Sequence, residues 1–261
     1  MTWRPKLVAL DVDGTIVNHL NELSPSVKEA VLAIRAQGIP VVIATGRAVP
    51  GVYDVLDKLG FREGLGIASN GSVVFEVDPF ELVHTTTFDA REAVRRVLER
   101  VPEALVAVEE VGVGYRVNRA FPHGEITGEI ILDEVERMVS QPVTRVVVRA
   151  PDHSREEFSA MVEDLGLDGT NYYIGYTAWL DLAPEGVSKA SGLDEVCRRM
   201  GLTAADVLAV GDGNNDLEMI QWAGRGVAMA QGSADLIAVA DDVAGPVEED
   251  GLADELRRWL D

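Results

Sequence analysis

Two aspartates one residue apart are the residues of this sequence that point most directly to chemistry. Asp11 and Asp13 follow the apolar run Leu7–Leu10 and precede Gly14. Four apolar residues in a row are typical of a short buried strand, whereas aspartate and glycine favour turns. A strand followed by a polar turn would account for Asp13 and Gly14, but it gives no reason for Asp11. We therefore interpret both carboxylates as functional, provided that partners for them follow elsewhere in the chain.

Polar residues also end three other predicted strands. Thr45 follows the apolar stretch 39–44, Asn70 follows 65–68, and Asp212, Asn215 and Asp216 follow 206–210. In open parallel sheets, ligands bind outside the carboxyl ends of the strands. We therefore expect these residues and the Asp11/Asp13 pair to converge at one edge of a sheet, although they lie far apart in the sequence.

Four carboxylates at one edge would repel one another. Two unit charges about 4 Å apart interact by about 4 kcal/mol at an effective dielectric constant of about 20. Asp11, Asp13, Asp212 and Asp216 therefore require a cation. The candidate ligands are all oxygen atoms, without a histidine or cysteine cluster beside them, which favours a hard metal such as Mg²⁺. A divalent cation beside a spare carboxylate suits phosphoryl transfer.

Lys189 is the natural cationic donor for a phosphate. It begins a predicted helix, where exposed backbone amides also favour anions. A lysine at a helix start opposes the helix macrodipole, so a purely structural role is disfavoured. Taken singly, Thr45 and Asn70 are explained equally well as turn residues, whereas Arg47 alone is more simply explained as a surface arginine.

Segments with strand and helix patterns alternate near both ends of the chain. Such alternation is typical of a parallel sheet covered by helices. In the middle, adjacent strand pairs lie beside helices, which indicates an α+β unit with an antiparallel sheet. The predicted fold class is α/β, with a discontinuous core domain over residues 1–81 and 183–261 and a second domain inserted at 82–182.

The composition limits the partners of the protein. The 261 residues include 44 acidic and 23 basic side chains, for a formal net charge of −21. We expect no nucleic-acid partner, because such binding depends on Lys and Arg that neutralise phosphates. The sequence contains no apolar run of about 18 residues and no signal-peptide pattern before Leu7. We therefore expect a cytoplasmic protein without a membrane span, as a monomer or weak homo-oligomer.

The motifs in combination resemble those of the haloacid dehalogenase (HAD) superfamily. In chain order they are Asp11-x-Asp13-Gly14-Thr15, Thr45-Gly46-Arg47, Lys189 and Gly211-Asp212-Gly213-x-Asn215-Asp216. Three further segments resemble its Cof-type, IIB-capped sugar-phosphatase branch: Asn70-Gly71, Pro184-x-Gly186-Val187-Ser188-Lys189 and Glu249-Asp250-Gly251. The resemblance implies a Rossmann-like parallel sheet core. The insertion point after the third predicted strand implies an α+β cap of the C2 type.

This resemblance implies catalytic and metal-binding roles. Asp11 would be the nucleophile that forms an aspartyl-phosphate. Asp13 would protonate the leaving oxygen and later deprotonate the attacking water. Mg²⁺ would be bound by the Asp11 carboxylate, the Asp13 backbone carbonyl and Asp212, while Asp216 would orient these ligands or contact the metal through water.

The resemblance also implies contacts with the substrate. Thr45, Gly46, Lys189 and Asn215 would surround the phosphate, and in this branch the cap recognises the leaving group. Candidate substrate contacts are Arg47, Asn70, Tyr115, Arg116, His123, Arg145, Arg149, Tyr172, Tyr176 and Trp179. For each cap residue taken singly, a packing or solvent-facing role is the simpler explanation.

Three functions are compatible with these residues. We predict a Mg²⁺-dependent phosphatase that hydrolyses a small phosphorylated metabolite, preferably a sugar phosphate, through an aspartyl-phosphate. A sugar phosphomutase is the second alternative, and it would have to retain the sugar and exclude water. The third is a non-catalytic regulatory protein that binds a phosphorylated ligand at the acidic site without turnover.

Overall fold

The computed structural model describes residues 3–163, 165–167, 170–175 and 177–261. The strands are β1 (Leu7–Leu10), β2 (Val41–Ala44), β3 (Leu65–Ala68), β4 (Val73–Glu76), β5 (Glu81–Thr85), β6 (Leu105–Glu110), β7 (Gly114–Val117), β8 (Glu129–Leu132), β9 (Val146–Arg149), β10 (Thr170–Ile174), β11 (Trp179–Pro184), β12 (Val207–Gly211), β13 (Arg225–Met229) and β14 (Asp242–Ala244). The helices are α1 (Pro25–Ala36), α2 (Val49–Leu59), α3 (Arg91–Arg100), α4 (Val135–Met138), α5 (Arg155–Glu163), α6 (Lys189–Met200), α7 (Leu217–Trp222), α8 (Ala234–Val239) and α9 (Gly251–Arg257). Within the described ranges, no helix is both long enough and apolar enough to cross a lipid bilayer.

The chain divides into two compact units. The first consists of Met1–Gly46, Val52–His84 and Ser188–Asp261. Its sheet has the order β14-β13-β12-β1-β2-β3-β4-β5. The pairs from β14 through to β3 are parallel, and β4 is antiparallel to β3. The predicted α/β class with a parallel sheet core is therefore confirmed.

The strand order of this first unit reverses at β1. From β1 the chain proceeds to β2 and β3 on one side, whereas β12, β13 and β14 extend the sheet on the other. The residues of β1 are fully buried because helices cover both faces of a parallel sheet. Ligands bind in such sheets outside the carboxyl ends of the strands where the order reverses. We therefore expect a ligand site at the carboxyl ends of β1 and β12.

The second unit consists of Arg47–Gly51 and Thr85–Val187. Its sheet has the order β10-β11-β9-β6-β7-β8, antiparallel except for the pair of β7 and β8. Apolar residues of α3 and α5, such as Val97 and Phe158, pack with one face of this sheet. The predicted domain ends at residues 82 and 182 stay predictions, and the sequence did not indicate that Arg47–Gly51 groups with this unit.

Two elements of the second unit were not predicted from the sequence. Strand β8 lies at the edge of the sheet, and its Ile130 and Leu132 are 46% and 72% exposed. Helix α4 is a single turn of four residues. An exposed edge strand lacks the alternation of buried and exposed residues on which strand prediction depends, and one helical turn is too short to show a period.

Gly71 lies where the turn after β3 meets the beginning of α6. Its φ is +100°, and a Cβ there would lie 2.0 Å from the backbone oxygen of Ser188. We expect Gly71→Ala to lower the free energy of unfolding by about 2–5 kcal/mol, because backbone strain and a steric clash add together. The measurement is urea denaturation followed by circular dichroism.

Gly201 provides a matched control for this substitution. It ends α6 with a φ of +68°, but a Cβ there would have no atom within 4 Å. Gly201→Ala should therefore lower the free energy of unfolding by about 1–2 kcal/mol, from the left-handed backbone alone. Equal losses in the two variants would show that the contact between Gly71 and Ser188 is not tight.

Candidate active site

The ends of β1 and β12 bring two predicted carboxylates together. The strands are paired in parallel with Leu10 opposite Val210, and the Asp11 amide donates to the Val210 oxygen at 3.0 Å. Asp11 and Asp212 each follow one of these strands directly. Carboxylate oxygens of Asp11, Asp212 and Asp216 lie within 4.8 Å of one another, and the three residues are 4%, 7% and 0% exposed. Buried carboxylates this close together require compensating charge.

Lys189 supplies part of that compensation. Its Nζ donates to Asp11 Oδ1 and to Asp216 Oδ1, each at 2.6 Å, and the residue is fully buried. Lys189 is the first residue of α6, which Ser188 caps by accepting a hydrogen bond from the Ser191 amide. The capped helix start therefore directs a buried cation toward the two carboxylates, which explains a lysine at a position that the helix macrodipole disfavours.

Both oxygens of Asp216 are occupied by groups of the protein. Oδ1 accepts from Lys189, and Oδ2 accepts from the backbone amides of Asp212 at 3.0 Å and Gly213 at 2.8 Å. Asp216 therefore fixes the turn that carries Asp212. Gly211 is required for this arrangement, because a Cβ there would lie 2.4 Å from Asp216 Cγ.

The turn after β1 brings the backbone close to Asp212. Gly14 has a φ of +82° and donates its amide to the Val17 oxygen at 2.9 Å. A Cβ on Gly14 would lie 2.0 Å from Asp212 Oδ2, so only glycine fits here. Asp13, the residue before Gly14, is exposed, whereas Asp11 is buried. The two aspartates of the motif therefore lie in different environments.

The ends of β2 and β3 contribute a second polar group. Thr45 is buried, and its backbone oxygen accepts from the Asn70 amide at 3.0 Å. The Asn70 side chain accepts from Asn215 Nδ2 at 2.9 Å. A Cβ on Gly46 would lie 3.0 Å from Asn70 Oδ1 and 3.4 Å from Asn215 Nδ2. Thr45, Gly46, Asn70 and Asn215 thus form one group at the sheet edge.

The charges of the site shift the pKa values of its residues in opposite directions. Burial raises the pKa of Asp11 well above its ordinary 3.8, the negative charge of Asp216 adds to this shift, and Lys189 opposes it. Burial and then Asp216 raise the pKa of Asp212 to about 6. Burial alone would lower the pKa of Lys189, but attraction to Asp11 and Asp216 outweighs it and holds that pKa above its ordinary value. The lysine is therefore charged, and it neutralises the carboxylates only in part.

Comparison with known proteins identifies the family of this chain. The profile of the haloacid dehalogenase-like hydrolases matches residues 8–256. The chain belongs to this family. This result confirms the resemblance found in the sequence and the predicted enzyme class, a phosphatase of the HAD type.

Individual relatives of this HAD-like hydrolase match over nearly their whole length. The protein YkrA of Bacillus subtilis is 30% identical over 256 residues, which are 95% of each chain. A phosphoglycolate phosphatase of Natronomonas pharaonis is 30% identical over 254 residues, 97% of each chain. The structure of a HAD-superfamily phosphatase from Bacteroides thetaiotaomicron is 28% identical with a TM-score of 0.80, covering 98% of this chain and 95% of the other.

The acidic cluster of this HAD-like hydrolase fits a divalent cation. The three carboxylates of Asp11, Asp212 and Asp216 exceed the single ammonium of Lys189 by two negative charges. The candidate ligands are oxygens, which hard divalent ions prefer. Since both Asp216 oxygens are already hydrogen-bonded, Asp11 and Asp212 are the carboxylates better placed to bind the ion.

The remaining predicted contacts lie in the second unit of this HAD-like hydrolase. Arg145 is buried and donates to Asp181 Oδ1 at 2.5 Å and to the Tyr115 hydroxyl at 2.6 Å. Trp179 Nε1 donates to the other oxygen of Asp181 at 2.9 Å. Sequence patterns did not single out Asp181, because an aspartate alternating with apolar residues in a strand is the ordinary pattern of a half-buried sheet.

The other candidate substrate contacts of this unit form hydrogen bonds or ion pairs within the unit, or lie at the surface. Arg47 donates to the Gly51 oxygen at 3.5 Å. Arg116 pairs with Glu110 and Asp133, and Arg149 with Glu125. His123 and Tyr172 are exposed. Tyr176 lies outside the described residues.

Proposed function

We propose that this hydrolase is a Mg²⁺-dependent phosphatase that cleaves a small phosphomonoester through an aspartyl-phosphate on Asp11. The observation that carries the proposal is the contact of the buried Asp11 carboxylate with Lys189 at 2.6 Å, inside a cluster that includes Asp212. Asp11 is held in one orientation, and a cation that can bind phosphate oxygens lies beside it. This arrangement suits a nucleophile that attacks phosphorus.

Two steps complete the proposed reaction. In the first, a carboxylate oxygen of Asp11 bonds to phosphorus while the bond to the leaving oxygen breaks, and Asp13 gives that oxygen a proton. In the second, Asp13 takes a proton from water, the water oxygen bonds to phosphorus, and the bond to Asp11 breaks to release inorganic phosphate. The exposed position of Asp13 supports its role in both proton transfers.

Other residues would bind the phosphate and the metal. Lys189, Thr45, Gly46 and Asn215 would hold the phosphoryl oxygens. Asp11, the Asp13 backbone carbonyl and Asp212 would hold Mg²⁺, which would offset negative charge on the phosphoryl group. Asp216, whose side chain accepts from Lys189 and from two backbone amides, would keep the lysine and the Asp212 turn in position.

We propose a sugar phosphate or a similar small phosphorylated metabolite as the substrate. The support comes from relatives whose names state phosphorylated small molecules. One is the phosphoglycolate phosphatase of Natronomonas pharaonis, at 30% identity. Another is 5-amino-6-(5-phospho-D-ribitylamino)uracil phosphatase of Bacillus subtilis, at 25% identity. Both substrates are phosphomonoesters of small organic molecules.

A phosphate-release assay tests this function. The purified chain should hydrolyse p-nitrophenyl phosphate with Mg²⁺ present, and a panel of phosphorylated sugars, polyols, nucleotides and cofactors should reveal the preferred substrate. Mass spectrometry of acid-quenched enzyme should locate a phosphoryl group on the peptide that contains Asp11. Release no faster than the buffer control over the whole panel, with binding of the ligands retained, would instead favour a non-catalytic phospho-ligand-binding protein.

Removal of the metal should abolish the activity. We expect EDTA to reduce phosphate release to background and Mg²⁺ in excess to restore it. Asp212→Asn should raise the Mg²⁺ concentration for half-maximal activity by about 100-fold or more, because it removes a charged ligand from a site with few others. Asp206→Asn is the matched control, since Asp206 lies at the opposite end of β12 and pairs with Lys6. Equal Mg²⁺ requirements in both variants would contradict the proposed metal site.

A further inference from the structure

Gln231 lies beside the proposed metal site, although no sequence pattern pointed to it. It follows β13, which is paired in parallel with β12 so that Ala228 lies opposite Gly211. The turn after β13 is closed by the Gly232 amide, which donates to the Met229 oxygen at 2.8 Å. The end of β13 therefore shares a sheet edge with Asp212, and the turn places Gln231 next to that carboxylate.

The side-chain amide of Gln231 joins three separate segments. Its Nε2 donates to the Gly14 oxygen at 2.5 Å and lies 3.3 Å from Asp212 Oδ2. Its Oε1 accepts from the Val247 amide at 3.1 Å. The two amide protons and the amide oxygen of Gln231 are thus all used.

The chemistry of these partners determines the orientation of the amide. A backbone oxygen and an ionised carboxylate only accept hydrogen bonds, and the Val247 amide only donates. Rotating the Gln231 amide by half a turn would place an oxygen against Gly14 and Asp212 and an NH₂ group against the Val247 amide. The three contacts therefore allow only one orientation of the Gln231 amide. The hydrogen bond from the Val247 amide keeps its NH₂ group directed at the site.

We propose that Gln231 is a positioning residue that orients the Asp212 carboxylate and the Gly14 peptide for metal binding. Gly14 and Asp212 are already so close that a Cβ on Gly14 would lie 2.0 Å from Asp212 Oδ2. A donor shared by both fixes the separation between the turn that carries Asp13 and the turn that carries Asp212. This inference deepens the proposed function, because it rests on the same metal site. Residues that orient metal ligands typically contribute about 10- to 100-fold to metal affinity.

Metal binding without substrate provides the test. The probe is Mn²⁺ as a substitute for Mg²⁺, measured by electron paramagnetic resonance on the full chain. We expect Gln231→Met, which keeps the length of the side chain and loses every hydrogen bond, to bind Mn²⁺ about 10- to 100-fold more weakly. Gln221→Met is the matched control, because it replaces an exposed glutamine of the same unit, on α7, by the same residue. It should bind Mn²⁺ as the wild type does.

Steady-state kinetics separate positioning from general damage. Gln231→Met should need about 10- to 100-fold more Mg²⁺ for half-maximal activity. At saturating Mg²⁺ its KM for p-nitrophenyl phosphate should remain within about twofold of the wild type, because the proposed phosphate ligands Thr45 and Lys189 are unchanged. A structural defect would change KM as well as the metal requirement. Because Gln231 is exposed, the variant should fold, and Gln231→Ala is the second variant if it does not.

Wild-type Mn²⁺ affinity in either folded variant would overturn the inference. Failure of the proposed phosphatase activity can be distinguished from failure of this inference, because Mn²⁺ binding is measured without a substrate. A chain that releases no phosphate but loses Mn²⁺ affinity in Gln231→Met would contradict the phosphatase and leave the positioning role supported. A chain that releases phosphate with the same metal requirement in Gln231→Met and wild type would contradict the positioning role alone.

Discussion

Asp11→Asn should reduce phosphate release by about 10⁴-fold or more, the typical cost of removing a nucleophile. The amide has nearly the shape of the carboxylate, but its oxygen does not form the proposed bond to phosphorus. Lys189 would still find an acceptor in the Asn oxygen and in Asp216. The measurement is kcat with p-nitrophenyl phosphate at saturating Mg²⁺, with mass spectrometry to confirm that the phosphorylated peptide is absent.

Thermal unfolding distinguishes this loss from misfolding. The raised pKa of Asp11 means that its ionised form is less favourable in the folded than in the unfolded protein, chiefly because of burial. Removing the charge should therefore leave the metal-free Tm at pH 7 equal to or above that of the wild type. An Asp11→Asn enzyme with the wild-type kcat would contradict the proposed role of Asp11 as the nucleophile. A much lower Tm in this variant would contradict the inference that the buried charge of Asp11 destabilises the folded protein.

Lys189→Met should strongly destabilise the folded protein. It leaves Asp11, Asp212 and Asp216 together without the buried cation that contacts two of them at 2.6 Å. Removing one partner of a buried ion pair typically costs about 3–5 kcal/mol. We expect a loss of that size in the free energy of unfolding at pH 7 without metal, measured by urea denaturation. Phosphate release should also fall to near background, because a proposed phosphate ligand is missing.

The surface pair of Lys58 and Asp54 supplies the control for this variant. It lies on α2 in an i, i+4 arrangement, with side chains that are 28% and 44% exposed. Lys58→Met should change the free energy of unfolding by less than about 1 kcal/mol, because solvent screens exposed ion pairs. A similar loss in the two variants would show that the buried contacts of Lys189 are no stronger than surface ones.

The loss in Lys189→Met should depend on pH. A carboxyl whose pKa is raised in the folded state takes up protons on folding, so stability increases as pH falls through that pKa. Burial raises the pKa of Asp212 to about 6 even with Lys189 present, and Lys189 opposes the shifts of both Asp212 and Asp11. Without the lysine these pKa values should rise further. The difference in stability from the wild type should therefore shrink as the pH is lowered from 7 to about 5.

Local sequence patterns determined where the strands and their polar ends lie. The apolar run Leu7–Leu10 folds as β1 over the same residues, and the stretch before Asp212 folds as β12, Val207–Gly211. Such strands are predictable because a fully buried strand is apolar at every position and stops where polar turn residues begin. The α/β class and the family follow from these features, and both are confirmed. The roles of the individual site residues stay predictions.

Only the tertiary structure decided which side chains meet. Asn70 and Asn215 are 145 residues apart and share a hydrogen bond, and Gln231 contacts Gly14 across 217 residues. Neither contact has a local signal, since an isolated amide side chain is ordinary in any turn. Both contacts depend on the strand order, in which β12 and β13 lie on one side of β1, whereas β2 and β3 lie on its other side.

The different contacts of the three aspartates in the acidic cluster also result from the tertiary structure. The sequence determined that Asp11, Asp212 and Asp216 end or follow strands, and charge repulsion among them already called for a cation. The structure decided that Lys189 supplies one positive charge and that Asp216 gives both its oxygens to the protein. Strand order and the start of α6 set these distances, and they result from packing of the whole sheet rather than from any short segment of the chain.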